Sequence, residues 1–318
     1  MEKKRMHILL VIDSNPANNW YRVFKGLKGP DGEEIRVEQT QWDLIEAWAD
    51  DAVHLTVHPS PEPILGSSQK YERSFTPDFV LVRNFVLGIH GQSWLNTLMA
   101  LRVGNVPAVN SLDSVFFSTQ RALMIAELKR IQGKLGKDVF PLVPIRYYPN
   151  TRHHLPKPKD LPLVAKVGTS HAGYGKMKFK DDDFADFSTL MAMYSDYITT
   201  EPFVPNVGDV RIQRVGDQVR AYRRVTAGWK GNVGEAEVED IPVTPLYQLW
   251  ADECSKIFGG LDILSIDAVV DEKGNHTILE VNDTATGLNP FHQEEDTAHI
   301  RDLVLRRMTE AFNATNSN

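Results

Sequence analysis

Between His7 and Val109 the chain carries four short apolar runs separated by stretches of helical or polar pattern. They are His7-Ile-Leu-Leu-Val-Ile-Asp13, Ile35-Arg-Val-Glu-Gln39, Phe79-Val-Leu-Val-Arg83 and Val106-Pro-Ala-Val109. Continuous apolar strands alternating with helices predict a parallel sheet buried on both faces, which is an α/β architecture. No run approaches the roughly 18 apolar residues of a membrane span, so any membrane contact is expected to be peripheral. A chain of 318 residues can bury more than one core, and the pattern changes twice along its length.

From about Ser111 one long amphipathic helix is predicted to run to Leu135, with Gly136 as its stop. Residues 142 to 179 read as extended segments around a glycine-rich stretch, and Phe184, Phe187, Leu190, Met191 and Tyr194 mark a further helix. The segment from Val57 to Thr76, rich in Pro, Ser and Gly, reads as a long surface loop. Beyond Tyr197 the pattern gives a hairpin over 209–226 turned at Gly216-Asp217 and a helix capped by Thr244-Pro245. Two strands follow, Leu261–Val270 and His276–Asn282, then a terminal helix from Asp296 that frays past Phe312.

The charge balance is 35 Lys plus Arg against 42 Asp plus Glu, net −7, which argues against a nucleic-acid binder working through bulk positive charge. The single cysteine, Cys254, rules out an internal disulfide and a cysteine metal cluster, fits a reducing compartment and suggests a cytoplasmic protein.

Three stretches carry candidate chemistry. In Lys166-Val-Gly-Thr-Ser-His-Ala-Gly-Tyr-Gly-Lys176, glycines let backbone N–H groups approach an anion, and two lysines bracket the loop. It suits a polyphosphate; a flexible hairpin tip is the alternative. A strand places Glu280 and Asn282 on one face, and a hairpin turning between Lys273 and Gly274 sets Asp267 opposite Glu280. Such oxygen side chains suit a hard cation completed by phosphate and water, or are simply solvated. The cationic strand Arg220-Ala-Tyr-Arg223-Arg224, followed by Trp229-Lys230-Gly-Asn232, would clamp a phosphoryl group or form a solvated edge. Glu201-Pro-Phe203 reads as a linker able to hydrogen-bond a nucleobase.

Taken in order, Lys166, the glycine loop, Glu201, Asp209-Val-Arg211, Arg224, Asn232, Asp267 and Glu280-Val-Asn282 resemble the nucleotide site of the ATP-grasp superfamily. More narrowly, Tyr21-Arg-Val-Phe-Lys-Gly26, Pro77-Asp-Phe-Val-Leu-Val-Arg83, Tyr148-Pro-Asn150 and Lys256-Ile-Phe-Gly-Gly-Leu-Asp262 resemble the central domain of the synapsin family. The resemblance implies a Rossmann-like pre-ATP-grasp domain over 1–110, then a two-lobed α+β ATP-grasp domain. Its small lobe with the phosphate loop spans 111–198 and its large lobe with the metal site spans 199–318.

On the same resemblance Arg121, Lys166, Gly173, Gly175 and Lys176 would hold phosphates of ATP, and Glu201, Phe203 and Asp209 the rest of the nucleotide. Asp267, Glu280 and Asn282 would hold Mg²⁺ or Ca²⁺. Arg121 stands where the family has a lysine. Asp267 stands where vertebrate synapsins have Glu, and Asn282 restores the Asn usual in ATP-grasp ligases. Two functions follow from the resemblance. One is a regulatory ATP-binding protein that controls self-association as a dimer or tetramer, works at the cytoplasmic face of synaptic vesicles and serves neurotransmitter secretion. The other is a carboxylate–amine ligase acting through an acyl phosphate, with Arg224 and Asn232 as catalytic residues.

Overall fold

A computed structural model describes residues 6–60, 71–88, 91–149, 161–169, 174–226, 228–229 and 236–316. The first apolar run forms β1 (His7–Ile12), followed by α1 (Trp20–Phe24) and β2 (Ile35–Thr40). Next come β3 (Ile45–Ala49), β4 (Val53–Val57) and β5 (Arg73–Phe75), which make a small antiparallel sheet. β6 (Phe79–Val82), α2 (Leu95–Val103) and β7 (Ala108–Val109) complete this region. The main sheet runs β2-β1-β6-β7, all parallel, as the apolar runs predict.

Both faces of that sheet are covered, and the alternation of strand side chains decides what each one meets. Leu10, Ile12, Val80 and Val82 pack against Leu98 and Leu101 of α2 and against Val53, Leu55 and Val57 of the small sheet. Within the loop read between Val57 and Thr76 the small sheet takes only Val57 and β5 (Arg73–Phe75), and residues 61–70 lie outside the described residues. Leu9, Val11, Phe79 and Leu81 face the opposite way, onto Ile300, Leu303, Val304 and Met308. These four belong to the terminal helix, so the end of the chain closes the core of its beginning.

The helix read over 111–135 is two helices, α3 (Leu112–Ser118) and α4 (Arg121–Leu135), broken at Thr119-Gln120. Ser111 caps the first, accepting from Ser114 N, and Gly136 at φ 87 stops the second. A four-stranded sheet follows, built from β8 (Arg146–Tyr148), β9 (Leu163–Val167), β10 (Lys176–Phe179) and, after α5 (Phe184–Met193), β11 (Ile198–Pro202). Its order is β10-β9-β11-β8. β11 begins at the head of the segment read as the large lobe, yet its hydrogen bonds tie it to β9 and β8 of the small one.

The large sheet holds β12 (Gly208–Val215), β13 (Gln218–Thr226) and β14 (Ala236–Ile241). After α6 (Pro245–Cys254) come β15 (Ile263–Val270) and β16 (His276–Asn282), giving the order β14-β13-β12-β15-β16. Thr244 caps α6, accepting from Tyr247 N, with Pro245 in the first turn. This helix buries Trp250 and Cys254 against Leu128 and Ile131 of α4 and against the sheet. The terminal helix α7 (Gln293–Asn316) starts three residues before Asp296 and continues past Phe312, longer at both ends than read from the sequence. Its added first turn carries Glu294 and Glu295, which suit the positive end of the helix dipole.

Candidate nucleotide and cation site

The small-lobe sheet sets a lysine row across its strands, because Lys176 of β10 pairs with Lys166 of β9 and Lys166 pairs with Thr199 of β11. Glu201 lies two residues beyond Thr199, hence on the same face, and its carboxylate accepts the Lys166 ammonium at 3.0 Å. Both side chains are buried. A buried charge persists only when paired, so this pair fixes the direction of Lys166.

The large-lobe sheet supplies the opposing row. Arg211 of β12 sits beside Asp267 of β15, and Asp267 sits opposite Glu280 of β16, the pairing read from the hairpin. The hairpin is not uniform: Ala268 pairs with Ile278, which leaves Leu279 as the extra residue of a β-bulge next to the site. Arg211 forks onto Asp267 with bonds of 2.7 and 2.9 Å, Arg224 approaches the same carboxylate at 3.6 Å, and the Asn282 amide donates to it at 3.1 Å.

The two rows meet at Glu280. Lys166 reaches its carboxylate at 3.5 Å and Arg121 at 3.8 Å. Arg121 is the first residue of α4, where a cation opposes the helix dipole, and neither the preceding Gln120 nor an acidic first-turn residue offsets it. The break between α3 and α4 thus places a guanidinium at the site at some local expense. Burial alone would raise the Glu280 pKa. Lys166, Arg121, Lys176 and Arg211 outweigh it and bring the group down to about 2, so Glu280 is an anion at neutral pH. Burial and the neighbouring Lys166 lower the Lys176 pKa, while burial raises that of Asp209 despite Arg224.

Between the rows lies an open pocket of about 620 Å³ lined by Lys166, Lys176, Glu201, Phe203, Asp209 and Glu280, among others. Phe203 carries the Lys178 ammonium 3.3 Å above its ring centre, and Lys176 lies 5.5 Å from the ring centre of Trp229. The structure therefore brings together Arg121, Lys166, Lys176, Glu201, Phe203, Asp209, Arg224, Asp267, Glu280 and Asn282. Gly175 takes φ 63 at the end of the loop, a conformation glycine adopts without strain. Gly173 and Asn232 lie outside the described residues.

Arg211 is the site residue that has a place in the sequence pattern but no role assigned from it. Its partner is 56 positions away, in a strand pairing that no local spacing reveals.

The oxygen set fits a hard divalent cation that arrives with phosphate. Asp267 and Glu280 are adjacent carboxylates, and turning over the Asn282 amide would present its oxygen instead of its NH₂. Among the described residues no three Asp, Glu, His or Cys groups converge to hold a metal. A cation here would need phosphate oxygens or water to complete its shell, as Mg²⁺ commonly does.

Residues 110–310 match the family model described as the synapsin ATP binding domain, and residues 2–108 match that of the synapsin pre-ATP-grasp domain. The chain belongs to the synapsin family. It is 31% identical over 315 residues to a synapsin of Drosophila melanogaster, covering 96% of this chain but only 30% of that protein. Among solved structures, D-cycloserine synthetase DcsG superposes with a TM-score of 0.63 at 13% identity, covering 95% of this chain and 99% of that one. A Chryseobacterium gregarium RiPP-associated ATP-grasp ligase, in complex with ADP and a leader and core peptide, gives a TM-score of 0.60 at 14% identity over 95% and 97% of the two chains. Such distant likenesses establish the ATP-grasp fold for this synapsin-family chain.

Proposed function

We propose that the protein is a synapsin-like ATP-binding protein whose two ATP-grasp lobes close on ATP and a divalent cation, and that closure regulates self-association and vesicle or membrane-trafficking contacts. The observation that supports this most directly is the convergence of Lys166 from the small lobe and Arg121 from α4 on Glu280 of the large lobe. A cation that draws Glu280 toward phosphate changes the contacts between the lobes. Nucleotide can shift a conformational equilibrium only through such a difference in affinity for its states. Lys166, Lys176 and Arg121 would hold phosphates, Glu201, Phe203 and Asp209 the base and ribose side, and Asp267, Glu280 and Asn282 Mg²⁺ or Ca²⁺. Among the described residues no helix is long and apolar enough to cross a membrane.

A second reading is a carboxylate–amine ligase. It is favoured by Arg211 and Arg224, which stand at the proposed cation carboxylate Asp267, where charge on a transferring phosphoryl group would need cations. ADP formation from Mg-ATP with a mixed small-metabolite extract separates the two, with Glu280→Gln as the blank. The regulatory reading predicts nucleotide binding without turnover above the blank, together with an assembly state that ATP alters. Turnover that the variant lacks would favour the ligase and overturn the regulatory reading.

A further inference from the structure

β10 carries two lysines, of which Lys176 lines the nucleotide pocket and Lys178 does not. Strand alternation puts both on one face of the small-lobe sheet. The opposite face belongs to α5, where Phe179 meets Phe187 with ring centres 4.5 Å apart. On the lysine face Lys176 stands beside Lys166, and Lys178 stands beside Val164, which pairs in turn with Glu201 of β11. Val164 and Glu201 both line the pocket, so Lys178 lies in a row that ends at the site without entering it.

The carboxylate in that row, Glu201, is taken by Lys166 at 3.0 Å. The Lys178 ammonium instead reaches across β9 to the ring of Phe203 and stands 3.3 Å above its centre, which is direct contact between a cation and a π face. Phe203 follows the end of β11, and its N–H still donates to the carbonyl of Pro162 at 2.9 Å, which extends the pairing and keeps Phe203 on the face of Thr199 and Glu201. Its ring lines the pocket and meets Trp229 edge to face, with ring centres 6.4 Å apart and planes at 77°. Backbone pairing fixes where Phe203 starts; it does not fix how the ring is turned. The ammonium does that from outside the pocket.

We infer that Lys178 is a positioning residue for nucleobase recognition: by holding the face of Phe203 it presents a preset aromatic wall to the base, without touching the nucleotide itself. The inference rests on the reading that ATP lies in this pocket with its base against Phe203. Ordering one mobile side chain on binding lowers affinity by a factor of about two to ten, and a ring held in place beforehand avoids that loss. The two lysines of β10 then differ in what they select. Lys176 adds affinity for any polyphosphate, whereas Lys178 adds affinity only for one that bears a base.

The test is calorimetry of Mg-ATP on the full chain, with Mg-tripolyphosphate measured as a competitor, for wild type, Lys178→Gln, Lys178→Arg, Phe203→Leu and the double variant Lys178→Gln with Phe203→Leu. Lys178→Gln removes the cation and weakens Mg-ATP about fivefold, while Mg-tripolyphosphate stays within twofold of wild type. Lys178→Arg restores a cation over the ring and brings Mg-ATP back to within twofold. In the Phe203→Leu background, where no π face remains, Lys178→Gln changes Mg-ATP affinity by less than twofold. The comparison of Gln with Arg at position 178 keeps Phe203 intact and decides the matter even if Phe203→Leu binds too weakly to measure. Tripolyphosphate weakened as much as ATP would make Lys178 a phosphate-directed charge and overturn the inference. So would an undiminished effect of Lys178→Gln in the Phe203→Leu background, failure of Arg to restore affinity, or Mg-ATP affinity within twofold of wild type in Lys178→Gln. Absence of Mg-ATP binding to wild type is a separate result: it removes the nucleotide reading, and this inference with it.

Discussion

Arg211 shows how much of the site depends on single contacts. Its fork onto Asp267 is buried, and the carboxylate holds the guanidinium protonated against the burial that would lower its pKa. Arg211→Lys keeps a charge but not the two parallel bonds, and removing one half of such geometry in a buried pair costs about 1–3 kcal/mol. We expect a lower unfolding midpoint and an ATP affinity reduced at least tenfold, read by denaturant titration and calorimetry. Unchanged values in both would remove Arg211 from the site. The pairing of Asp267 with Glu280 is legible in the sequence because strand period and hairpin register act over a few residues. The role of Arg211 was not legible, because the β12–β15 pairing joins segments that only the whole fold brings together.

At the scale of elements, α4 was readable as a helix, but its start was not. The sequence around Thr119-Gln120 has no proline or glycine to announce a break, and Leu123, although apolar, is 42% exposed. The break follows from tertiary packing, which seats α3 on the first domain and α4 on the large sheet. Likewise β14 has the pattern Ala-Glu-Val-Glu-Asp-Ile, too polar to stand out as a strand, and is held by its pairing with β13. The far end of α4 is tied to α6 by Glu253, which receives Lys134 and Lys256, both at 2.6 Å. Those bonds, Lys134 first, lower the Glu253 pKa below its ordinary 4.5. A depressed carboxylate stabilises the fold above its unfolded value and loses that contribution as pH falls through the folded one. Glu253→Gln should therefore melt below wild type at pH 7, with the difference closing below about pH 4.5. A difference independent of pH would show that the ion pairs contribute nothing.

At the scale of the whole molecule, the first domain reaches the proposed cation site through Arg83. This buried guanidinium, in the loop after β6, donates to the carbonyls of Thr284 and Thr286 in the segment leaving β16. The Thr286 hydroxyl meets Ser265 at 2.6 Å, the Asn282 amide reaches Ser265 at 3.5 Å, and the same amide donates to Asp267. The parallel sheet of the first domain was readable from its apolar runs. This connection was not, since Arg83 and Thr284 lie 201 positions apart. Arg83→Met strands two buried carbonyls and the acidic neighbours Asp13 and Asp283, an expected cost of about 3 kcal/mol or more. It should also weaken metal-dependent ATP binding at a distance; a stability loss with unaltered ATP affinity would confine Arg83 to holding the domains together. The central claim, that ATP and a divalent cation meet at Glu280 between the lobes, is tested most directly by calorimetry of ATP with and without Mg²⁺ on wild type and Glu280→Gln. Wild type should bind ATP more tightly with the metal, and the variant should lose that dependence. A variant titration indistinguishable from wild type would contradict the account.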